Sequence, residues 1–430
     1  MTATLKALRD GSLAGARTLT LREGLTEFPP EILGLADTLE VLDLSGNALT
    51  ALPDDIGRLK ALRVLFCSGN RFDRLPPGLG DCPALSQLGF RATGLRDIPG
   101  ESLPANLRWL TVTDNRIAVL PETLGERPAL QKLMLAGNRL RGLPASLEGA
   151  DNLELLRLSA NRLDALPAWL TALPRLAWLA WAGNPLDRHA AGAAPLADWA
   201  TLRVGRLLGE GASGQVHEAT WTPSDGQARS VALKLFKGAM TSDGLPEREM
   251  AACLTAGEHP HLAGALAQLA GHPEGQQGLL MPLLPAHWRV LAGPPSPESC
   301  SRDVYDGALR LDLDVALRIA RGIAAATAHL HDQGLTHGDL YAHNILWDGA
   351  LGQAVLSDFG AASFLPADAD DGLQRLEVRA WGLLLGELLE RCDLQASPQD
   401  ALWALQHACV QTDVAARPTL ATIQDVLEAR

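Results

Sequence analysis

The stretch "LQKLMLAGNRL", Leu130 to Leu140, is one of seven near-copies of a phrase that fills the first half of this chain. The others are LEVLDLSGNAL from Leu39, LRVLFCSGNRF from Leu62, LSQLGFRATGL from Leu85, LRWLTVTDNRI from Leu107, LELLRLSANRL from Leu153 and LAWLAWAGNPL from Leu176. They place Asn47, Asn70, Thr93, Asn115, Asn138, Asn161 and Asn184 in register, at steps of 23, 23, 22, 23, 23 and 23 residues. A fixed step of this length marks a repeat architecture, in which no copy buries its apolar side alone and each stacks on the next.

Each position of the phrase has a physical task. Leu at the first, fourth and sixth positions points into the shared core. The Asn at the ninth carries donors and an acceptor that satisfy backbone groups where the strand turns. Thr93 breaks that column with a hydroxyl that replaces part of the amide. Pro53, Pro76, Pro121, Pro144 and Pro167, each six residues after a column position, mark the turn to the outer side. An earlier degenerate copy, LTLREGLTEFP, puts Gly24 in register and reads as the N-terminal cap. The pattern resembles the leucine-rich repeat family of the 23-residue type, with LPxxL on the convex segment, and the resemblance implies a horseshoe solenoid.

Two columns should face outward on the concave sheet: Val41, Val64, Gln87, Trp109, Lys132, Leu155, Trp178, and Asp43, Phe66, Gly89, Thr111, Met134, Arg157, Ala180. Apolar and aromatic side chains on a curved sheet suit a protein partner. Phe66 and Trp109 are read as partner contacts. Leu155 and Trp178 stand between that role and packing on the domain that follows, and Trp181, at a core Leu position, reads as packing.

The chain has 430 residues, 47% hydrophobic and 20% charged, enough for two or three packed domains. A net charge of -13 gives no long-range attraction for nucleic acid or an anionic membrane, and neither is expected as a partner. Six Cys without CxxC spacing suggest reduced thiols. Without a signal-peptide core or a membrane-length apolar run, the cytoplasm is the expected location.

After "DRHAAGAAPLADW" the period stops. "LLGEGASGQVHEA" sets Gly209, Gly211 and Gly214 between two β-like runs, with Val216 two residues on. A lone GxGxxG is weak, but one that does not open a helix disfavours a dinucleotide fold. "VALKLF" then places Lys234 on an alternating strand, in a chain with only five Lys. "PEREMAACLTAGEHPHL" reads as a helix with Glu247 and Glu249 near its start. "LTHGDLYAHNILW" carries Asp339 and Asn344 five residues apart, and "SDFGAAS" carries Asp358.

In this order the set resembles the protein-kinase family: GxGxxGxV, VALK, a helix Glu, HGDLxxxN in place of HRDLxxxN, and DFG. The expected architecture is α/β overall: a leucine-rich repeat horseshoe over 1–190, a linker over 191–200, and a bilobal α+β kinase-like domain with a shortened activation segment over 201–430. The resemblance implies ATP and Mg2+ as cofactors. Lys234 would hold the α and β phosphates, oriented by Glu249 with Glu247 as the other possibility. Asp339 would address the attacking hydroxyl, and Asn344 and Asp358 would be the magnesium ligands. Leu208, Gly209, Gly211, Ser213, Gly214, Val216, Ala232 and Met281 would line the nucleotide site. His337 reads as a structural residue of the loop, while Tyr341 and His343 are open between substrate contact and packing.

Several positions depart from the family. Gly338 replaces the Arg that pairs with a phosphorylated activation loop, and Tyr341 replaces a Lys near the transferring phosphate. Only sixteen residues separate Gly360 from Glu377, with no APE motif. Glu377 takes the place of an Asp that braces the catalytic loop, and the region from Arg391 to Ala401 is short. The expected function is a protein kinase acting on Ser/Thr or Tyr hydroxyls, with the repeats recruiting a substrate or regulator. The alternatives are a small-molecule kinase of the aminoglycoside or choline kinase type, which also uses HGDLxxxN, and a pseudokinase scaffold.

Overall fold

The computed structural model describes residues 4–187, 195–211, 213–238, 240–241, 243–367, 371–392 and 399–429. The chain divides into two compact units, Met1–Leu173 and Pro174–Arg430.

The first unit opens with the short helix α1 (Leu5–Arg9), whose first turn is capped by the Thr4 hydroxyl accepting from the Ala7 amide. Seven three-residue strands follow: β1 (Thr18–Thr20), β2 (Val41–Asp43), β3 (Val64–Phe66), β4 (Gln87–Gly89), β5 (Trp109–Thr111), β6 (Lys132–Met134) and β7 (Leu155–Arg157). They pair in parallel and in chain order. The fourth-position leucines Leu42, Leu65, Leu88, Leu110, Leu133 and Leu156 are buried in one row. Parallel strands need a crossover, and here it is a single 3-10 turn that starts directly after Pro53, Pro76, Pro121, Pro144 or Pro167. Proline suits that place because its fixed φ enters a turn without losing a required N–H.

The Asn column closes the backbone between copies. Asn138 Nδ2 donates to Val112 O and Leu135 O, both at 2.9 Å, and its Oδ1 accepts from the Ile117 amide at 3.0 Å. Asn161 repeats this one step later, with Leu135 O, Leu158 O and the Leu140 amide. Thr93 keeps one of these bonds, its hydroxyl reaching Phe90 O at 3.1 Å. Asn115 Oδ1 accepts from the Thr93, Gly94 and Leu95 amides, and lies 3.0 Å from the Thr93 hydroxyl.

The concave columns run in the expected register, Val41–Val64–Gln87–Trp109–Lys132–Leu155 and Asp43–Phe66–Gly89–Thr111–Met134–Arg157. A Cβ at Gly89 would lie 2.5 Å from the Phe66 ring, so the glycine lets that ring lie across β4. There it meets Trp109 edge-on, with centroids 6.4 Å apart, and Lys132 Nζ sits 4.2 Å from the Trp109 ring on the other side.

The boundary of the first unit differs from the period's end near 190. The seventh copy, with strand β8 (Trp178–Ala180), lies in the second unit. The reason is packing: its indoles are satisfied by the second unit's own loops. Trp178 Nε1 donates to Leu340 O at 2.9 Å, and Trp181 Nε1 to Phe364 O at 3.2 Å. The expected linker also differs. Within 191–200, β9 (Leu196–Asp198) is a strand, followed by a 3-10 turn that Asp198 caps; residues 191–194 lie outside the described ones.

The second unit's sheet has the order β10 (Leu202–Glu210), β11 (Gly214–Trp221), β12 (Arg229–Phe236), β14 (Gly278–Pro282), β13 (Ala267–Ala270) and β9. Its pairings are antiparallel except β13 with β9. Ala219, Val231, Leu233, Leu269 and Leu280 form its apolar face, joined by Trp199, Leu202 and Trp221. Helix α2 (Pro246–Ala256) precedes β13 in the chain.

Beyond the sheet, β15 (Arg289–Val290), β17 (Ile345–Trp347) and β18 (Ala354–Leu356) form a small antiparallel sheet. β16 (Leu335–Thr336) pairs with β19 (Ser363–Phe364). Helices α3 (Leu313–Asp332), α4 (Gly372–Leu389), α5 (Gln399–Val410) and α6 (Leu420–Glu428) complete the unit. α3 buries Ile319, Ala320, Ile323, Ala326 and Leu330 at helical spacing, and Trp381 of α4 donates to Ala320 O at 3.0 Å.

Candidate active site

The site starts from the alternation of "VALKLF". Val231 and Leu233 go to the apolar face, so Ala232 and Lys234 share the other. Register places Val216 opposite Lys234 and Met281 opposite Ala232, so these four side chains line one surface across three strands. At its edge, β10 and β11 meet in the glycine turn, where the Gly211 amide donates to Gly214 O at 2.9 Å. A Cβ on Gly214 would lie 2.3 Å from Leu235 O, whereas Gly209 and Gly211 face open space. Gly214 is therefore required by strand packing, and the other two leave their backbone accessible. Leu208 is 38% exposed and Ser213 half-buried; its carbonyl accepts from the Lys237 amide.

Helix α2 resolves the choice between its two acids. Residues two apart lie on opposite sides of a helix, so only one can face β12. Glu249 does: it is 4% exposed and its Oε1 accepts from Lys234 Nζ, while Glu247 is exposed. Lys234 Nζ also lies 3.9 Å from Asp358 Oδ1 and 5.1 Å from the Phe236 ring centroid. Asp358 sits at φ +63°, a backbone region costly for a residue with a Cβ, and its half-exposed carboxylate accepts from the Gly360 amide at 3.2 Å.

The loop between β16 and β17 brings Asp339 and Asn344 together. A 3-10 turn, Ala342–Asn344, folds the Asn back so that its Nδ2 donates to Asp339 Oδ2 at 2.7 Å and to Asp339 O at 2.9 Å. That leaves the amide oxygen of Asn344 for a cation. The Asn344 carbonyl in turn accepts from the amide and hydroxyl of Ser357, the residue before Asp358, at 2.8 and 2.7 Å. One amide oxygen and one exposed carboxylate are hard donors, and they fit a divalent cation shared with phosphate oxygens.

Glu377 holds this loop from beneath. Its buried carboxylate accepts from the Gly338 amide at 2.8 Å and the His337 amide at 3.3 Å, and it contacts His331 Nε2 at 2.9 Å. His337 is fully buried, with Nε2 3.1 Å from Ser357 O, as fits a structural residue. Gly338 stands at φ +70°, and a Cβ there would lie 2.6 Å from Ala361 O and 2.8 Å from Leu179 O. No side chain fits, which accounts for the missing Arg. Tyr341 is packed against Trp178, and His343 Nδ1 lies 2.7 Å from the buried Asp303 carboxylate.

Charge follows from this geometry. Burial pushes Glu249 up to about 7, against the pull of Lys234; its second oxygen has no hydrogen-bond partner among the described residues. Burial would lower Lys234, but the Asp358 and Glu249 carboxylates outweigh it and raise the ammonium. The two directions compete for one proton balance. We favour the charged lysine, because two carboxylates face a single cation and the surplus negative charge falls on the more buried Glu249. Burial would raise Glu377, but His331 and the loop amides hold it below its ordinary range.

Residues 202–379 match the family described as protein tyrosine and serine/threonine kinase. Residues 105–163 and 128–186 match one leucine-rich repeat model, and 38–59 another. Among curated relatives, the chain is 30% identical over 161 residues to the chicken (Gallus gallus) tyrosine-protein kinase receptor TYRO3, covering 36% of this chain and 18% of that protein. It is 32% identical over 152 residues to the mouse (Mus musculus) non-receptor tyrosine-protein kinase TNK1, covering 34% and 21%. To CBL-interacting protein kinase 22 of rice (Oryza sativa subsp. japonica) it is 28% identical over 222 residues, covering 47% and 46%. The chain thus spans less than half the length of these relatives. It joins segments that match the leucine-rich repeat models to a segment, residues 202–379, that matches the protein-kinase family.

Proposed function

We propose that the protein is an ATP-dependent protein kinase. The observation that carries this reading is Lys234 Nζ held between Glu249 and Asp358, beside a loop in which Asn344 is bonded to Asp339. Bound ATP and Mg2+ would supply the phosphoryl group and neutralise its charge. Lys234 would bind the α and β phosphates, with Glu249 fixing its position. Asp339 would orient the acceptor hydroxyl and take its proton, and Asn344 and Asp358 would hold the metal. The backbone at Gly209, Gly211 and Gly214 would cover the phosphates, with Leu208, Ser213, Val216, Ala232 and Met281 around the nucleotide.

Purified protein incubated with labelled ATP and magnesium, alone and with cell extract, tests this. Label on protein hydroxyls is expected. Label only on small molecules would favour the aminoglycoside or choline kinase type of reading, and nucleotide binding without transfer would favour a scaffold.

The Phe66, Trp109 and Lys132 cluster on the concave sheet is the part of the repeats best suited to a protein substrate or regulator, being aromatic and half-buried. Phe66→Ala with Trp109→Ala should weaken capture of that partner while leaving turnover on a generic substrate unchanged. All six cysteines are buried thiols, which suits a reducing compartment such as the cytoplasm. No helix among the described residues is long and apolar enough to cross a membrane.

A further inference from the structure

We infer that Trp178, Trp181 and Asp187, all in the seventh repeat copy, are positioning residues of the phosphotransfer site. They stand in for the support that a full-length activation segment would give. The inference rests on the kinase reading above.

Three groups of contacts carry it, all within the second unit. The copy is anchored at its start by two arginines: Arg417 Nη2 donates to Pro174 O at 2.8 Å, and Arg379 Nε to Arg175 O at 3.1 Å. In its middle it meets the catalytic loop and the segment after DFG. Trp178 stacks on Tyr341 and donates to Leu340 O at 2.9 Å. The Trp181 amide donates to Ser363 Oγ at 2.9 Å, and its indole to Phe364 O at 3.2 Å. At its end, the fully buried Asp187 carboxylate accepts from the Gly183 amide at 2.8 Å and lies 3.6 Å from Arg248 Nε.

Arg248 adjoins Glu249 on α2. One short copy therefore touches the loop that carries Asp339, the strand β19 that follows Asp358, and the helix that presents Glu249 to Lys234. With only sixteen residues between Gly360 and Glu377, the chain has little material of its own to pack these parts. Leu179 O occupies the space above Gly338 where a side chain would lie. Errors of about 1 Å in such groups cost up to roughly a hundredfold in rate, so this packing bears on turnover as well as on stability.

The test uses the full chain with Trp178→Ala, Trp178→Phe, Ser363→Ala and Asp187→Asn. The measurements are kcat and KM for ATP, melting temperature, and amide exchange over 335–347 and 363–365. Trp178→Ala should speed exchange in both segments and lower kcat by about ten- to a hundredfold with KM for ATP within about twofold. Trp178→Phe, which keeps a stacked ring, should recover most of the rate. Asp187→Asn should chiefly raise KM for ATP, through α2. Unchanged exchange and kcat in Ser363→Ala, together with a Trp178→Ala that only melts earlier, would overturn the inference. A wild type that transfers no label, with a Trp178→Ala variant that still exchanges faster in both segments, would instead refute the kinase reading and leave the bracing supported.

Discussion

The indole of Trp178 lies flat on the ring of Tyr341, with centroids 4.1 Å apart and planes 10° from parallel. Arg302 covers the indole with its guanidinium carbon 5.6 Å from the ring, and Tyr341 leans on His343 at 5.0 Å. The Lys that the family places at 341 would have to bury an ammonium under this indole. Tyr341→Lys should therefore give no gain in turnover and should destabilise the protein by about 1–3 kcal/mol, from the lost stack and the buried charge. Thermal denaturation of the two proteins measures it.

Asp339 is the group assigned to the acceptor hydroxyl. Asp339→Asn should lower kcat by about 10²–10⁴-fold and leave binding of a fluorescent ATP analogue within about threefold. Transfer at the wild-type rate would remove Asp339 from the mechanism.

Glu249 sets a pH dependence. Burial raises it from 4.5 to about 7, so the folded protein holds this proton more tightly than the unfolded chain. Its contribution to stability is present below pH 4.5 and is lost as pH rises through about 7, up to roughly 3 kcal/mol. Glu387, also raised to about 7 by burial, acts in the same window. Glu249→Gln should flatten, without abolishing, the fall in melting temperature of the nucleotide-free protein between these limits. An unchanged slope would mean that Glu249 stays ionised throughout.

Glu377 is fitted to its three partners by length. Glu377→Asp withdraws the carboxylate by one methylene from the His337 and Gly338 amides, and Glu377→Ala leaves both amides buried and unpaired. The expected cost is about 2–5 kcal/mol for Ala and less for Asp. Denaturant titration followed by activity would show whether the loop loosens before the unit unfolds.

The Asn column offers an internal comparison. Asn138→Ala removes bonds to Val112 O, Leu135 O and the Ile117 amide and should cost about 2–4 kcal/mol. Thr93→Val, which loses the hydroxyl bond to Phe90 O, should cost about 1 kcal/mol. Equal losses would show that the column is not what joins the copies.

The repeats were legible because their information is local: a 23-residue step, an Asn and a Pro recur whatever the copy packs against. The kinase motifs were legible for the same reason, since a glycine turn, an alternating strand with Lys234 and the Asp339–Asn344 loop each carry their geometry within a few residues. What escaped was tertiary. Helical phase alone did not settle Glu249 against Glu247 until the strand it faces was known. Leu196–Asp198 reads as an Ala-rich connector because a three-residue edge strand has no period to detect. The copy around Trp178 obeys the repeat and yet belongs to the other unit. The two tryptophans, at an outward position and a core-Leu position, were its only outward sign.

That last point bears on how the protein can be divided. Cutting at residue 190, where the periodic text ends, would amputate both indoles and uncover Tyr341, the Ser363 hydroxyl and Arg248 in one stroke. A fragment meant to carry the proposed activity should start at Pro174 or earlier. Any exchange of the first unit for another should keep the seventh copy with the second unit.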